Sequence, residues 1–178
     1  DCCNGRPDLC PPGMPVPESV AAPVTRQNVL FICTGNSARS IFAEAILRDV
    51  AADRFDVYSA GTDPKSELNP IVIEMLAQKG MDIRALRAKH VAEFQGVDAP
   101  VMDFVFTVCD RAANEAHWGL PDPAKAVGTD AERRLAFQQT FGAMRNRIRA
   151  FAALPTGALS RASLHHEVDG IGRRKDNT

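Results

Sequence analysis

A cysteine, an arginine and a serine lie close together in the segment 33–40, whose sequence is Cys-Thr-Gly-Asn-Ser-Ala-Arg-Ser. The segment follows a continuous apolar run at 28–32 and precedes a helical pattern, so it is predicted to join a buried strand to a helix. In such a loop the backbone N–H groups can form a nest for an anion, and the positive end of the helix adds to it. The Arg39 guanidinium fits two oxygens of a tetrahedral oxyanion, and the Ser40 hydroxyl can donate to the sulfur. Because every neighbour favours the anion, Cys33 is predicted to be a thiolate nucleophile beside a bound oxyanion.

Each feature of this 33–40 loop also has a simpler interpretation. A cysteine at the end of a buried strand is commonly a small core residue, and Ser and Asn are common in turns. Their combination directly after a buried strand favours the catalytic interpretation. The chain has five cysteines, an odd number, with three in the first ten residues, which is not typical of a secreted disulfide framework. We therefore expect a reducing, cytoplasmic location.

Strand and helix patterns alternate along the chain around this loop. Predicted strands cover 28–32, 55–60 and 103–109, and predicted helices cover 40–50, 70–79, a long segment containing 137–151 and a short segment around 164–171. Pro70 suits the first position of a helix, and Gly80 suits the position just after one. The alternation predicts an α/β fold with a mostly parallel sheet.

The 178 residues, with a mass of 19.3 kDa, fit one domain with a tail. Residues 1–26 hold six of the twelve prolines and few large apolar side chains, so we expect a flexible tail ahead of a domain at 27–178. The chain begins with Asp1 and not Met, which indicates processing, a tag or a longer parent chain. The net charge of −1 provides no positive field for nucleic acid. No apolar run reaches the roughly 20 residues that cross a bilayer.

The 33–40 loop, preceded by Asn-Val-Leu-Phe-Ile, resembles the arsenate reductases built on the low-molecular-weight protein tyrosine phosphatase fold. The resemblance covers about 27–171 and continues in the family's order through Tyr-Ser-Ala-Gly at 58–61, the segment 100–110, and His-Trp-Gly-Leu-Pro-Asp-Pro-Ala at 117–124. It implies a three-layer α/β/α fold with a mostly parallel, four-stranded sheet. It also implies reduction of arsenate to arsenite, for arsenic detoxification, with an external thiol reductant and no tightly bound cofactor.

The resemblance assigns roles to individual residues. Cys33 attacks the arsenic of arsenate, while Arg39 and the loop backbone hold the oxyanion; the loop positions are Thr34, Gly35, Asn36, Ser37 and Ala38. Asp122, of the Asp-Pro motif, donates a proton to the departing oxygen, although on the residues alone it is equally a turn residue between two prolines. Cys109 then attacks the arsenic-bearing sulfur, which releases arsenite and leaves a Cys33–Cys109 disulfide; without the resemblance, Cys109 is a core residue.

Three further positions, Asn36, Glu44 and Ser59, match residues that in some relatives form a polar network or bind a potassium ion behind the loop. The simpler interpretation places Glu44 on a solvated helix face. No spacing of side chains predicts any other metal site.

The chain departs from the family after its second cysteine. Thioredoxin-linked relatives carry a third cysteine there, but the seven residues 110–116 between Cys109 and His117 contain none. A crossover between parallel strands needs about a dozen residues. Either the fourth strand is displaced, or a surface loop is missing from the sequence. We expect the missing loop, which would be the place for a resolving cysteine. If the short connection is real, an external thiol must complete the cycle, and thioredoxin, glutathione with glutaredoxin, and mycothiol are the candidates.

The first residues carry a second motif, formed by Cys2, Cys3 and Cys10. Three thiols suit soft, three-coordinate arsenite, and the arrangement resembles the C-terminal arsenite site of some ArsR-type repressors. We expect either the end of a repressor domain fused ahead of the reductase, or a processing remnant with idle thiols.

Two other functions compete with arsenate reduction. A low-molecular-weight protein tyrosine phosphatase shares the nucleophile, arginine and acid, but its acid motif is typically followed by tyrosines, where this chain has Ala124 and Lys125. A non-catalytic arsenite-binding sensor has no use for a leaving-group acid such as Asp122.

Overall fold

A four-stranded parallel sheet carries the 33–40 loop at its C-terminal edge. The computed structural model describes residues 25–109 and 116–174, without the side chains of residues 116 and 117. The strands are β1 (Gln27–Cys33), β2 (Phe55–Gly61), β3 (Phe104–Thr107) and β4 (Ala116–His117). The α-helices are α1 (Arg39–Ala51), α2 (Pro70–Gln78), α3 (Asp130–Ala152) and α4 (Arg161–Arg173). Short 3-10 helices cover Val91–Phe94 and Pro123–Lys125. The strand order is β2-β1-β3-β4, which confirms the predicted α/β fold and its four parallel strands.

The helices begin and end where their capping residues satisfy the free backbone groups. Asn69 caps α2 by accepting a hydrogen bond from the N–H of Ile71 at 3.0 Å, and Gly80 follows its end with a φ of +73°. Helix α3 begins well before its apolar pattern, because the side chains of Thr129 and Glu132 form a reciprocal capping box.

One face of the sheet packs against α1, α3 and α4 through a cluster of aromatic rings. Phe106 of β3 stacks on Trp118, with 4.3 Å between ring centroids, and it also lies 5.1 Å from Phe151 of α3. Phe31 of β1 extends the same cluster. The Trp118 indole N–H donates to the carbonyl of Val168 at 3.1 Å, which attaches α4 to the core. These contacts fix the segment after β4, where the predicted acid lies.

The opposite face of the sheet is covered by a different kind of structure. Leu30, Ile32 and Val105 line a cleft together with residues of the 3-10 helix Val91–Phe94. In the described part of the chain, residues 91–102 therefore lie over this face. Just before them, Lys89 contacts the 33–40 loop and contributes to the site.

Strand β4 lies beside β3 in parallel register, so the alternative of a displaced fourth strand is wrong. Residues 110–115 lie outside the described residues, and a missing loop there stays a prediction. Residues 1–24 also lie outside them, so the tail and the arsenite site at Cys2, Cys3 and Cys10 stay predictions as well. Within 25–109 and 116–174, no helix combines the length and apolar character needed to span a membrane.

Candidate active site

Backbone hydrogen bonds from the segment 62–69 hold the 33–40 loop open. The carbonyls of Cys33, Thr34, Gly35 and Ser37 accept from the N–H groups of Thr62, Asp63, Lys65 and Asn69 at 3.2, 2.9, 2.9 and 3.2 Å. These carbonyls point toward the segment 62–69. The N–H groups of the same peptides therefore point the opposite way, toward the sulfur of Cys33. The N–H of Asn36 already donates to that sulfur at 3.2 Å. This arrangement is compatible with an anion nest, and the binding of an oxyanion there stays a prediction.

Two positions make this loop geometry possible. Asn36 has a φ of +42°, in the left-handed region that asparagine tolerates better than most residues. Gly61, at the end of β2, packs against the loop so closely that a Cβ there would lie 2.5 Å from the carbonyl oxygen of Thr34. Only glycine fits at position 61 without moving the loop.

The Cys33 sulfur lies at the base of the loop, with its side chain almost fully buried. It is 2.9 Å from the Ser40 hydroxyl oxygen. The Asn36 amide nitrogen donates to the same hydroxyl oxygen at 2.9 Å, which leaves the hydroxyl proton of Ser40 for the sulfur. These donors and the N-terminus of α1 surround the sulfur, and the thiolate itself stays a prediction.

A buried polar network continues behind the loop. The Asn36 amide nitrogen also donates to Ser59 at 2.9 Å, and the Ser59 hydroxyl donates to Glu44. Glu44 is only 1% exposed, so its interpretation as a solvated residue on a helix face is wrong. Its carboxylate contacts two cationic side chains, Arg48 at 2.8 Å and Lys89 at 3.6 Å. Asn36, Glu44 and Ser59 are therefore brought together as predicted, while the potassium ion stays a prediction.

Arg39 connects the loop to the predicted acid. Its guanidinium is 5% exposed, donates to the carbonyl of Leu120 at 2.9 Å, and lies 3.3 Å from the Asp122 carboxylate. The other carboxylate oxygen of Asp122 accepts from the N–H of Ala124 at 3.1 Å and caps the 3-10 helix that follows. Asp122 is thus a turn residue whose carboxylate also reaches the guanidinium of Arg39.

Cys109 lies at the same edge of the sheet as Cys33. Strands β1 and β3 are neighbours, with Ile32 paired to Thr107, and the N–H of Val108 donates to the carbonyl of Ile32 at 2.9 Å. Cys109 is the next residue, directly beside the point where β1 enters the loop. It is half-buried against the core, and within the described residues neither Cys33 nor Cys109 forms a disulfide.

Two residues that support the site, Lys89 and Arg147, were not predicted from the sequence. The main-chain N–H of Lys89 donates to the Asn36 side-chain oxygen at 2.7 Å, and no residue pattern reports on a main-chain contact. Burial lowers the pKa of the Lys89 ammonium, and the nearby Glu44 carboxylate opposes this shift. Arg147 donates to the carbonyls of Trp118 and Gly119 at 2.8 and 3.2 Å and so holds the segment leading to the acid. Arg147 lies within the apolar stripe of α3, and a charged residue in such a stripe could have indicated a buried polar contact.

Comparisons with known proteins agree with this geometry. Residues 28–117, half of the chain, match the family model described as low molecular weight phosphotyrosine protein phosphatase. The arsenate reductase of Shouchella clausii (strain KSM-K16) is 34% identical over 140 residues, which cover 72% of this chain and 97% of that protein. The arsenate reductase of Bacillus subtilis (strain 168) is 33% identical over 137 residues, covering 70% and 94%. A solved arsenate reductase in the phosphate binding state superposes with a TM-score of 0.59 at 25% identity, over 71% of this chain and 97% of that one. The chain therefore belongs to the low-molecular-weight phosphotyrosine protein phosphatase family.

Proposed function

We propose that this protein is an arsenate reductase that converts arsenate to arsenite for arsenic detoxification. The observation that carries the proposal is the placement of two cysteines, Cys33 and Cys109, at the ends of neighbouring parallel strands. Arg39, in the same loop as Cys33, forms an ion pair with Asp122. Relatives that align over nearly their whole length are arsenate reductases, which supports the same activity here.

In the first step, the Cys33 thiolate attacks arsenic, so that a sulfur–arsenic bond forms and one arsenic–oxygen bond breaks. The departing hydroxyl takes the proton of Asp122 and leaves as water; this proton is needed because hydroxide is a poor leaving group. Arg39 and the N–H groups of the 33–40 loop hold the remaining oxygens. The hydroxyl of Ser40, which lies 2.9 Å from the sulfur, stabilises the thiolate before the attack.

In the second step, the Cys109 thiolate attacks the Cys33 sulfur. A disulfide forms, and the sulfur–arsenic bond breaks with both of its electrons passing to arsenic. Arsenic(V) is thereby reduced to arsenic(III), arsenite departs, and two thiols are oxidised to one disulfide. A phosphate ester undergoes no such electron transfer, so this step separates reduction from phosphatase chemistry.

The catalytic cycle closes when an external thiol reduces the Cys33–Cys109 disulfide. Because residues 110–116 contain no cysteine, we propose that the reductant attacks this disulfide directly. Thioredoxin, glutathione with glutaredoxin, and mycothiol all have suitable chemistry. The need for such a thiol pool supports a cytoplasmic location, and no tightly bound cofactor enters the scheme.

Phosphatase activity on tyrosine phosphate is the second candidate, since it would use Cys33, Arg39 and Asp122 in the same way. The only tyrosine of the chain, Tyr58, lies in β2 with its ring 5.5 Å from that of Phe94, on the sheet face away from the acid loop. The chain therefore offers no tyrosine to line an aromatic entrance.

The test compares wild-type protein with Cys109→Ser in two assays. The first measures arsenate-dependent consumption of NADPH with each reductant system supplied in turn, and the second measures hydrolysis of an aryl phosphate. We expect wild type to consume NADPH with at least one system, and Cys109→Ser to lose this activity while keeping its aryl phosphate hydrolysis. Equal arsenate turnover by the two proteins would remove Cys109 from the mechanism.

A further inference from the structure

Lys89 is buried behind the 33–40 loop, although no step of the reaction uses it. Its side chain is only 7% exposed. The ammonium nitrogen lies 3.6 Å from a Glu44 carboxylate oxygen and donates to the carbonyl of Arg87 at 2.9 Å. Because lysine is rarely buried unless it is paired, this arrangement ties the segment 87–90 to helix α1.

The main chain of Lys89 contacts the loop region through two hydrogen bonds. Its N–H donates to the Asn36 side-chain oxygen at 2.7 Å, and its carbonyl accepts from the N–H of Gly61 at 2.8 Å. The first bond orients the Asn36 amide, because it fixes the oxygen toward Lys89 and the nitrogen toward Ser40. An Asn36 that lost this contact could turn its amide over and leave Ser40 without its donor.

We propose that Lys89 is a positioning residue for Cys33. The pairing of its ammonium with Glu44 fixes the main chain at position 89, which orients Asn36. Asn36 in turn directs the Ser40 hydroxyl toward the sulfur. The inference concerns the free thiol and its anion nest, so it rests on the proposed function only for its consequence in turnover.

The charged groups around Lys89 provide a matched control. Glu44 and Arg48 face it from α1, and Arg48 contacts the other carboxylate oxygen of Glu44 at 2.8 Å. Arg87, on its own segment, points to the surface and pairs with Glu93 at 2.6 Å. Arg48 therefore contacts the same buried carboxylate as Lys89 but has no bond to the loop.

The experiment measures alkylation of Cys33 by iodoacetamide, assigned by peptide mass spectrometry, and its protection by inorganic phosphate. The variants are Lys89→Met and Arg48→Met. In Lys89→Met, the sulfur should lose one oriented hydrogen bond, so its alkylation should be about tenfold slower. The phosphate concentration that protects Cys33 from alkylation should be about tenfold higher. Arg48→Met should stay within about twofold of wild type, since Lys89 and Ser59 still contact the Glu44 carboxylate.

Two results would overturn the proposal. One is a folded Lys89→Met whose Cys33 is alkylated as fast as that of wild type. The other is an equally slow alkylation in Arg48→Met, which would attribute the effect to the charge on Glu44 alone. If Lys89→Met does not fold, the double variant Lys89→Met/Glu44→Gln replaces it, because it buries no unpaired charge. Slow alkylation in that double variant supports the proposal, and wild-type reactivity contradicts it. Neither readout needs arsenate turnover, so a failure here is distinct from a failure of the proposed function.

Discussion

The guanidinium of Arg39 and the carboxylate of Asp122 form an ion pair, with 3.3 Å between Nη2 and Oδ2. In the proposed mechanism, one side chain thus binds the oxyanion and also holds the acid that protonates the departing oxygen. Arg39 additionally holds the carbonyl of Leu120 at 2.9 Å, so the acid loop is anchored on the oxyanion loop. This coupling predicts that substitutions of Arg39 and Asp122 impair different steps.

Arg39→Lys should impair both binding and chemistry. Lysine keeps one positive charge but cannot span two oxyanion oxygens and the Leu120 carbonyl at once. We expect kcat/KM for arsenate to fall about 100-fold. Steady-state kinetics with arsenate, and phosphate as a competitive inhibitor, would measure this. A variant with wild-type phosphate affinity would contradict the role given to the guanidinium.

Asp122→Asn should impair chemistry alone. The amide oxygen can still accept from the N–H of Ala124, so the acid loop keeps its shape. Without the proton donor, kcat should fall about 100-fold or more. Phosphate should bind as tightly as before or more tightly, because a negative charge beside the anion is gone. Asp63→Asn, which changes an exposed carboxylate near the loop, is the control and should leave kcat unchanged.

Gly61→Ala should damage the anion nest through a steric clash. The new Cβ would lie 2.5 Å from the Thr34 oxygen and 3.0 Å from the Asn36 Cβ, so the loop must move. We expect a loss of about 1–3 kcal/mol in the free energy of unfolding together with weakened phosphate binding. Gly142→Ala, within α3 and with no atom within 4 Å of its added Cβ, should instead stabilise by about 0.5–1 kcal/mol. Thermal unfolding followed by circular dichroism compares the two.

The pKa of Asp82 provides a test remote from the site. Hydrogen bonds from the side chain and the main-chain N–H of Arg84 lower this pKa from 3.8 to about 2. A lowered pKa means that the contribution of Asp82 to stability is present above pH 3.8 and is lost as the pH falls through about 2. In Arg84→Met the main-chain bond remains, so the midpoint should rise part of the way to the usual value. Carbon NMR titration of the Asp82 carboxyl would show this, and identical midpoints in both proteins would refute it.

The parts of the site that could be predicted from the sequence are those contained in one contiguous segment. Cys33, Arg39 and Ser40 lie in a single strand–loop–helix, where local apolar patterns and spacing already determine which groups converge. Asp122 and Cys109 needed the family resemblance, because a turn aspartate and a strand-end cysteine carry no distinctive local pattern.

The supporting residues could not be predicted from local residue patterns, because their roles depend on distant contacts, and only the family resemblance pointed to Glu44. Lys89 acts through its main-chain N–H, which every residue other than proline possesses. Glu44 has a helix position typical of solvated residues, and it becomes buried only because Ser59, Arg48 and Lys89 converge on it. Gly61 directly follows the predicted strand 55–60. The need for glycine there comes from the carbonyl of Thr34, which lies in the loop after the neighbouring strand β1.

The most direct test of the proposed mechanism is peptide mapping by mass spectrometry, after reduced protein has reacted with arsenate in the absence of any external thiol. The mechanism predicts a disulfide-linked pair of peptides containing Cys33 and Cys109, with one arsenite released per disulfide. Arsenite released while both cysteines remain thiols, or a disulfide that leaves Cys33 free, would contradict it.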